Sequence, residues 1–268
     1  MSTDRLDRRW IALEGAANAR AVVPGVLLRA DNLQSLSPRD VHLLIDEEGV
    51  EVVLDLRTDV EVELEGPGPM TGRPVRIEHR SLYPDSGGNT DLELDTIKPW
   101  HQPPGEGEWS EEPPIVRAYL SYLRRRPDSI IGSIRTIARA AGAVLVHCAA
   151  GKDRTGVVVA LALDAASLDR GAIVDDYLAS GERIEQIMAR LVSSPTYRAE
   201  LEGHDPQRQA PIPGTMERFF GIIDERFGGT AEWLSANGLE RRDLERLRDR
   251  LAPGGNGRGA PSPATRHR

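Results

Sequence analysis

The chain has 268 residues, of which 39% are hydrophobic and 28% are charged, and its formal net charge is -8. These values are typical of a globular protein with one generous core, and the apolar runs are too short to cross a bilayer. The negative charge argues against a nucleic-acid partner held through its phosphates, so an anionic ligand must be bound by local positive charge.

The cysteine count bears on the redox setting. Cys148 is the single cysteine, which excludes an internal disulfide framework. Residues 1–10 are charged and lack the apolar run of a secretory signal. We therefore expect a protein of the reducing cytoplasm, without a membrane span.

The first half of the chain predicts the start of an α/β sheet. Residues 25–29 are typical of a short strand, and residues 39–48 of an amphipathic helix that begins after Ser37 and ends at Gly49. A β-branched run follows at 50–56, as expected of a buried strand. The order strand, helix, strand favours a central, mainly parallel sheet flanked by helices.

The middle of the chain is less regular. Residues 75–79 alternate as a half-buried strand should, whereas 83–114 are rich in Pro, Gly and acidic residues and predict a long surface loop. Two helices are expected next, at 115–123 and 129–141.

A short apolar strand at 143–147 and an Ala/Val/Leu-rich helix at 156–166 come next, and the carboxyl-terminal third is predicted to be helical. Further helices are expected at 173–179, 183–192, 216–227, 231–236 and 243–251. Residues 253–268, rich in Gly and Pro, predict a flexible tail. We expect one domain over residues 1–252.

The turn between that strand and helix carries the sequence HCAAGKDRTG, residues 147–156. Five residues separate Cys148 from Arg154, and a segment of this length can curl until its backbone N–H groups converge on one anion. The N-terminus of the following helix adds its dipole. The same field would stabilise a thiolate at Cys148, so this cysteine is the expected nucleophile.

Each neighbour of the cysteine has an expected role in binding phosphate. The planar fork of Arg154 can hold two phosphoryl oxygens, which a lysine could not do in the same geometry. The small residues Ala149, Ala150 and Gly151 let the backbone approach closely, and Lys152 is an expected further contact. A solvated lysine remains the alternative.

Two supporting residues flank the loop. The Thr155 hydroxyl can donate to the sulfur and improve it as a leaving group, and His147 is expected to fix the loop through hydrogen bonds without transferring a proton. The other histidines make no ligand spacing, so no metal and no cofactor are expected.

The segment resembles the C-x-x-x-x-x-R-[ST] signature of the protein-tyrosine-phosphatase superfamily. Its GKDRTG ending is similar to that of the bacterial tyrosine/phosphoinositide phosphatases, which have mixed specificity. The resemblance extends over roughly residues 24–251 and implies the cysteine phosphatase fold. In some similar enzymes the region corresponding to 181–214 is a helical lid, although a plain surface excursion is the alternative here.

Three aspartates are candidates for the general acid that protonates the leaving group. Asp153 lies inside the loop, where the resembling bacterial enzymes are thought to keep their acid, and we favour it. Asp85 lies in the sequence Tyr-Pro-Asp, residues 83–85, which resembles the mobile acid loop of the wider superfamily. Asp55 stands at a predicted strand end, where it could equally pair with Arg57 and serve the structure alone.

The sequence therefore predicts a metal-independent phosphatase that works through a phosphocysteine. The resemblance implies a phosphotyrosine protein or a phosphoinositide as substrate. An aromatic content of 4% leaves room for a sugar phosphate, nucleotide or biosynthetic intermediate instead. The alternative outside the enzymes is a catalytically silent module that uses the same loop to bind phosphate.

Overall fold

The computed structural model of the protein describes residues 6–66, 68–83 and 109–252. The candidate acid Asp85, most of the predicted loop 83–114 and the predicted tail 253–268 lie outside these ranges. Within them, no helix is both long enough and apolar enough to cross a membrane.

The described strands form one sheet in the order β1-β2-β3-β6-β4-β5. They are β1 Arg9–Trp10, β2 Arg20–Val23, β3 Leu27–Ala30, β4 Val50–Asp55, β5 Arg76–His79 and β6 Ala143–His147. β3, β6, β4 and β5 are parallel neighbours, whereas β1 and β2 add an antiparallel edge. The predicted α/β class with a mainly parallel sheet is confirmed.

The helices surround this sheet and dominate the carboxyl-terminal third, as predicted. They are α1 Pro38–His42, α2 Asp59–Glu65, α3 Pro114–Arg125, α4 Pro127–Arg139, α5 Asp153–Ala165, α6 Arg170–Ala179, α7 Ile184–Ser193, α8 Pro195–Leu201, α9 Thr215–Phe227, α10 Thr230–Ala236 and α11 Arg241–Leu251. Beyond α1, a π-helical turn at Leu43–Glu47 completes the predicted helix 39–48. The predicted helices are present with ends shifted by a few residues, whereas α2, α8 and the two edge strands were not expected.

The core lies on both faces of the sheet. Each face is covered by its own cluster of buried apolar side chains. Successive residues of a strand point to opposite faces, so in β3 Leu27 packs into the larger of these two clusters and Leu28 into the smaller. Val144 and Leu145 of β6 divide in the same way. A strand buried on both faces has no polar alternation, which explains the unbroken apolar run of β6.

The register of the parallel strands positions the site. Asp55 at the end of β4 is paired with His147 at the end of β6. The segments that leave these two strands therefore emerge side by side at one edge of the sheet, where open parallel sheets bind their ligands. The loop after His147 begins there.

Candidate active site

The predicted loop leads directly from β6 into α5 and holds the single cysteine. We call residues 148–154 the cradle. Cys148 is only 2% exposed, and the Thr155 hydroxyl donates to its Sγ over 3.2 Å. The sulfur thus lies at the base of the loop, beside the first turn of a helix whose dipole favours negative charge.

The cradle's carbonyl groups are held away from its centre by donors from the amino-terminal segment. Asn18 Nδ2 donates to the carbonyls of Ala150 and Gly151 at 2.9 and 3.1 Å, and Arg29 Nη2 donates to Gly151 at 2.7 Å. In a strongly curved loop, carbonyls drawn to one side leave the N–H groups facing the other. This orientation is the one that an anion requires.

Gly151 is the residue that this curvature depends on. Its φ is +63°, and a Cβ at this position would lie 2.3 Å from the Ala30 carbonyl oxygen. Any side chain would therefore clash with backbone and strain the loop.

A buried charge network stands behind the cradle and orients its donors. Asp176 of α6 accepts from Arg20 Nε at 2.7 Å and from Arg29 Nη1 at 2.6 Å, and all three side chains are at most 2% exposed. Burial works to raise the pKa of Asp176, but the two arginines lower it to about 2. Asp176 thus fixes the arginine that holds Gly151.

Replacing Asp176 with asparagine is expected to lower the free energy of unfolding by about 3 to 5 kcal/mol, because two buried arginines lose their counter-charge. Asp175→Asn is the matched control, since Asp175 is exposed one residue away. Urea unfolding at pH 7 measures both variants. The folded-state pKa lies below the ordinary value, so the difference should persist above about pH 4 and shrink as the pH falls toward 2. Equal losses in the two variants would contradict this reading.

Arg154 does not stand alone at the end of the cradle. Its Nη1 and Nη2 donate to the two carboxylate oxygens of Glu61 at 2.5 and 3.0 Å, and the ring of Tyr83 lies 5.7 Å from its guanidinium carbon. Glu61 is itself 2% exposed. A guanidinium carries five N–H donors, so a carboxylate bound to two of them does not exhaust the fork.

Asp153, the favoured acid, is paired within the site. Lys152 Nζ lies 2.8 Å from one of its oxygens, and the Tyr119 hydroxyl donates to the other over 2.5 Å. Burial works to raise the pKa of Asp153, but the charge and hydrogen bond of Lys152, the Tyr119 hydroxyl and Arg154 hold it below the ordinary value. In this state the carboxyl group is ionised and the lysine is engaged.

Asp55 binds Arg57, as the structural alternative predicted. Arg57 donates to its carboxylate from Nη2 at 2.6 Å and from Nε at 2.9 Å, and His147 Nε2 lies 3.6 Å away. Burial works to raise the pKa of Asp55, yet His147 and Arg57 hold it well below the usual range. Burial also lowers the pKa of His147 to about 4, so the imidazole is neutral at pH 7.

Helices α7 and α8, residues 184–201, lie over the cradle, and we call them the cover. Ile184, Ile187 and Met188 form one apolar cluster with Ala149, and Ala150 packs against it. Arg190 of the cover lies 3.2 Å from the buried carboxylate of Asp31. The cover therefore packs against the side of the cradle that Ala149 and Ala150 form.

Most residues that the sequence singled out converge at one edge of the sheet, while Asp85 lies outside the described residues. Glu61, Asn18 and Tyr119 were missed. A signal for Glu61 did exist, because Thr58 and Glu61 have the spacing of a capping box and form one in the structure. Within the described ranges, no cluster of three or more His, Cys, Asp or Glu side chains is arranged to hold a metal ion.

Comparison with known proteins decides the family. The family model described as the tyrosine phosphatase family matches residues 12–253. This chain belongs to that family. As a member of the tyrosine phosphatase family it is a cysteine-dependent phosphatase that acts on phosphorylated substrates.

Two curated relatives are similar to this phosphatase over most of its length. It is 28% identical to the triple specificity protein phosphatase PtpB of Mycobacterium tuberculosis, over 92% of this chain and 98% of that one. It is 27% identical to a tyrosine-protein phosphatase of Nostoc commune, over 90% and 79% of the two chains. The solved structure of TpbA from P. aeruginosa aligns with 72% of this chain and 88% of its own at 17% identity and a TM-score of 0.36, which is too remote to support an argument.

Proposed function

We propose that this phosphatase hydrolyses phosphomonoesters through a phosphocysteine at Cys148, with phosphotyrosine in proteins as its main substrate. The observation that carries the proposal is the shape of the cradle. Its carbonyls are tied outward by Asn18 and Arg29, and the sulfur at its base accepts a hydrogen bond from Thr155. Such a loop is built to hold a phosphoryl group above a nucleophile.

In the first step, the Cys148 thiolate attacks phosphorus while the bond to the leaving oxygen breaks. Arg154 and the N–H groups of Ala149, Ala150, Gly151 and Lys152 bind the nonbridging oxygens more strongly as negative charge spreads over them. Asp153 gives its proton to the leaving oxygen.

In the second step, water attacks the phosphorus of the phosphocysteine and passes a proton to Asp153 as the bond between sulfur and phosphorus breaks. The Thr155 hydroxyl, 3.2 Å from Sγ, stabilises the departing thiolate. Inorganic phosphate leaves and the nucleophile is restored, so the cycle needs no metal and no cofactor.

The acid role of Asp153 requires its pKa to rise when substrate binds. A phosphoryl dianion placed beside the Cys148 thiolate adds negative charge close to the carboxyl group, and like charges favour the protonated form. The bond from Tyr119 then keeps that carboxyl group in place.

Replacing Asp153 with asparagine is expected to lower turnover of phenyl phosphate by about a hundredfold or more, because a positioned general acid contributes on the order of 10²–10⁴ in rate. The loss should be smaller for p-nitrophenyl phosphate, whose leaving group needs the proton less. Asp85→Asn is the control and should change both rates little. Equal, mild effects of the two substitutions would place the acid elsewhere.

Phosphotyrosine is favoured by two facts. The relatives are named as a tyrosine-protein phosphatase and a triple specificity protein phosphatase. In addition, the Tyr83 ring beside the Arg154 guanidinium offers an aromatic surface next to the phosphate position.

A substrate with a second anionic group, such as a phosphoinositide or a metabolite with two phosphates, is the second candidate. Arg57 favours it: the side chain is 2% exposed, and Nη1 has no hydrogen-bond partner among the described residues. The other side of this guanidinium is bound to Asp55 through Nε and Nη2, so what Arg57 offers a second anion is the Nη1 donor. Lys152 does not favour a second anionic group, because its charge is already paired with that of Asp153.

A substrate panel tests this choice. We expect kcat/KM for a phosphotyrosine peptide to exceed the values for a phosphoserine peptide, short-chain phosphoinositides, sugar phosphates and nucleotides. A phosphoinositide or a metabolite ahead of the peptide would favour the second candidate, and Arg57→Met should then lower that activity selectively.

We propose further that the cover acts as a lid within the region 181–214. A protein-borne phosphotyrosine must reach Cys148, which is 2% exposed beneath the helices packed on Ala149. Cysteines introduced at Ser194 and Glu65, whose side chains are hydrogen-bonded, would staple the cover to α2. Oxidation should then suppress the activity of this double variant far more than that of identically treated wild-type protein, which controls for oxidation of Cys148 itself, and a reductant should restore it. Equal losses in the double variant and the wild type would contradict the lid.

The cytoplasm is the proposed compartment, because a nucleophilic thiol must stay reduced to react. Cell fractionation with an antibody against the chain tests it. Recovery of the protein outside the cytoplasm would overturn it.

A further inference from the structure

The cover and Arg154, which we call the phosphate clamp, meet at the carboxylate of Glu61. The Tyr197 hydroxyl of α8 donates to Glu61 Oε1 over 2.9 Å, and the Nη2 of Arg154 donates to the same oxygen over 3.0 Å. The other Glu61 oxygen accepts from Arg154 Nη1 at 2.5 Å. A residue of the cover is therefore joined to the clamp through a single buried side chain.

The position of Glu61 is set by several elements at once. Its Oε2 accepts from the backbone N–H of Thr58 at 2.8 Å, which closes the capping box at the start of α2. Burial works to raise the pKa of the Tyr197 hydroxyl, and the Glu61 charge beside it adds to this effect, so the hydroxyl stays protonated and acts as a donor. Because Arg154 is bound end-on by both Glu61 oxygens, a turn of the carboxylate would turn the guanidinium with it.

We infer that Tyr197 is a positioning residue for catalysis: its hydroxyl holds Glu61 so that the Arg154 fork is aligned with the phosphoryl group while the cover lies over the cradle. The inference rests on the proposed role of Arg154 as the phosphate clamp. It assigns the cover a part in the chemistry, because the cover completes the alignment of the clamp as well as packing against the cradle.

The same pair of helices provides a matched control. Ser194, three residues before Tyr197, donates its hydroxyl to Glu65, one turn along α2 from Glu61. Both bonds therefore join the cover to α2 through a hydroxyl and a carboxylate. Glu65 accepts from Ser194 and Asn32, whereas Glu61 binds the clamp. A substitution at Ser194 removes this bond and the N-cap bond that the same hydroxyl accepts from the Thr196 N–H at the start of α8, but it leaves the Tyr197 hydroxyl and the Glu61 carboxylate unaltered.

The experiment compares Tyr197→Phe with Ser194→Ala in the chain of 268 residues. Tungstate, an oxyanion that binds without turnover, measures the clamp by calorimetry, and p-nitrophenyl phosphate measures kcat and KM. We expect Tyr197→Phe to weaken tungstate binding and to lower kcat by about tenfold each, as the loss of one bond to a charged group allows. Ser194→Ala should change both by less than about twofold, and the two variants should have similar melting temperatures.

A double-mutant cycle tests the route. Glu61→Gln keeps the shape of the side chain but can no longer accept both arginine bonds. If Tyr197 acts through Glu61, adding Tyr197→Phe to Glu61→Gln should change tungstate affinity by no more than about twofold, because coupled residues are not additive.

Three results would overturn the inference: an unchanged tungstate affinity in Tyr197→Phe, equal losses in Tyr197→Phe and Ser194→Ala, or a full further loss in the Glu61→Gln background. The proposed function fails by different results, namely wild-type protein without turnover or a fully active Cys148→Ser variant. The two failures are therefore distinguishable.

Discussion

Replacing Cys148 with serine is expected to abolish turnover of p-nitrophenyl phosphate, lowering kcat by at least about a thousandfold. A serine hydroxyl stays protonated in the field that stabilises a thiolate, and among the described residues the side chain bonded to this position is the Thr155 hydroxyl, which is not a base. Wild-type protein should show a burst of p-nitrophenol equal to the enzyme concentration, whereas Cys148→Ser should show none.

Tungstate binding is the control for this variant, because the cradle N–H groups and Arg154 are unchanged and affinity should be retained. Wild-type activity should also persist in a metal chelator and fall in vanadate. A serine variant with substantial activity, or a strict metal requirement, would contradict the phosphocysteine mechanism. A protein that binds tungstate but never turns over would instead be the silent phosphate-binding module.

The second large effect is expected at Arg154. Replacing it with lysine keeps a positive charge for Glu61 but removes the planar fork, so we expect kcat/KM to fall by about 10²–10³, comparable to the loss of a transition-state donor. Because the charge is retained, the melting temperature should change little. A large fall in kcat/KM at an unchanged melting temperature would show that the lysine variant loses the geometry of the clamp and not the stability of the fold.

Arg218→Lys is the matched control. Arg218 also donates from two of its nitrogens, Nε and Nη2, to one carboxylate, that of Glu112, and from Nη1 to Glu225, but it does so on the surface. It should leave kcat/KM within about twofold of the wild-type value. If Arg154→Lys retained more than a third of wild-type kcat/KM, the fork would not be the clamp.

The central elements could be predicted because each has a strong local signal. The strand ending at His147 is an unbroken apolar run, and the helix after it is rich in Ala, Val and Leu with small residues at the turn. The loop between them has fixed spacing from Cys148 to Arg154. In each case the residues that carry the signal belong to the element they predict or lie within a few residues of it.

Helix α2 shows how two local signals can conflict. Thr58 and Glu61 have the spacing of a capping box, but the residues that follow alternate between charged and apolar as in a strand. The structure resolves the conflict in favour of the helix, whose Glu61 binds Arg154 from a position 93 residues away. No pattern in a single sequence carries such a pairing.

The same limit applies to Tyr197, which meets Glu61 across 136 residues, and to Asn18, which meets Ala150 across 132. These partners are determined by the topology of the sheet and the packing of the cover. Sequence reasoning therefore identified the groups proposed to react with phosphate but not the groups that hold them.

The outward-facing carbonyls of the cradle have a consequence for protein engineering. The HCAAGKDRTG segment is continuous, yet its curvature is maintained by Asn18, Arg29 and the backbone N–H of Asn32, which donates to Ala149 over 2.9 Å. Transplanting these ten residues onto another strand and helix would transfer the reactive groups without the restraints that shape them. A working graft needs three donors from a distant hairpin as well.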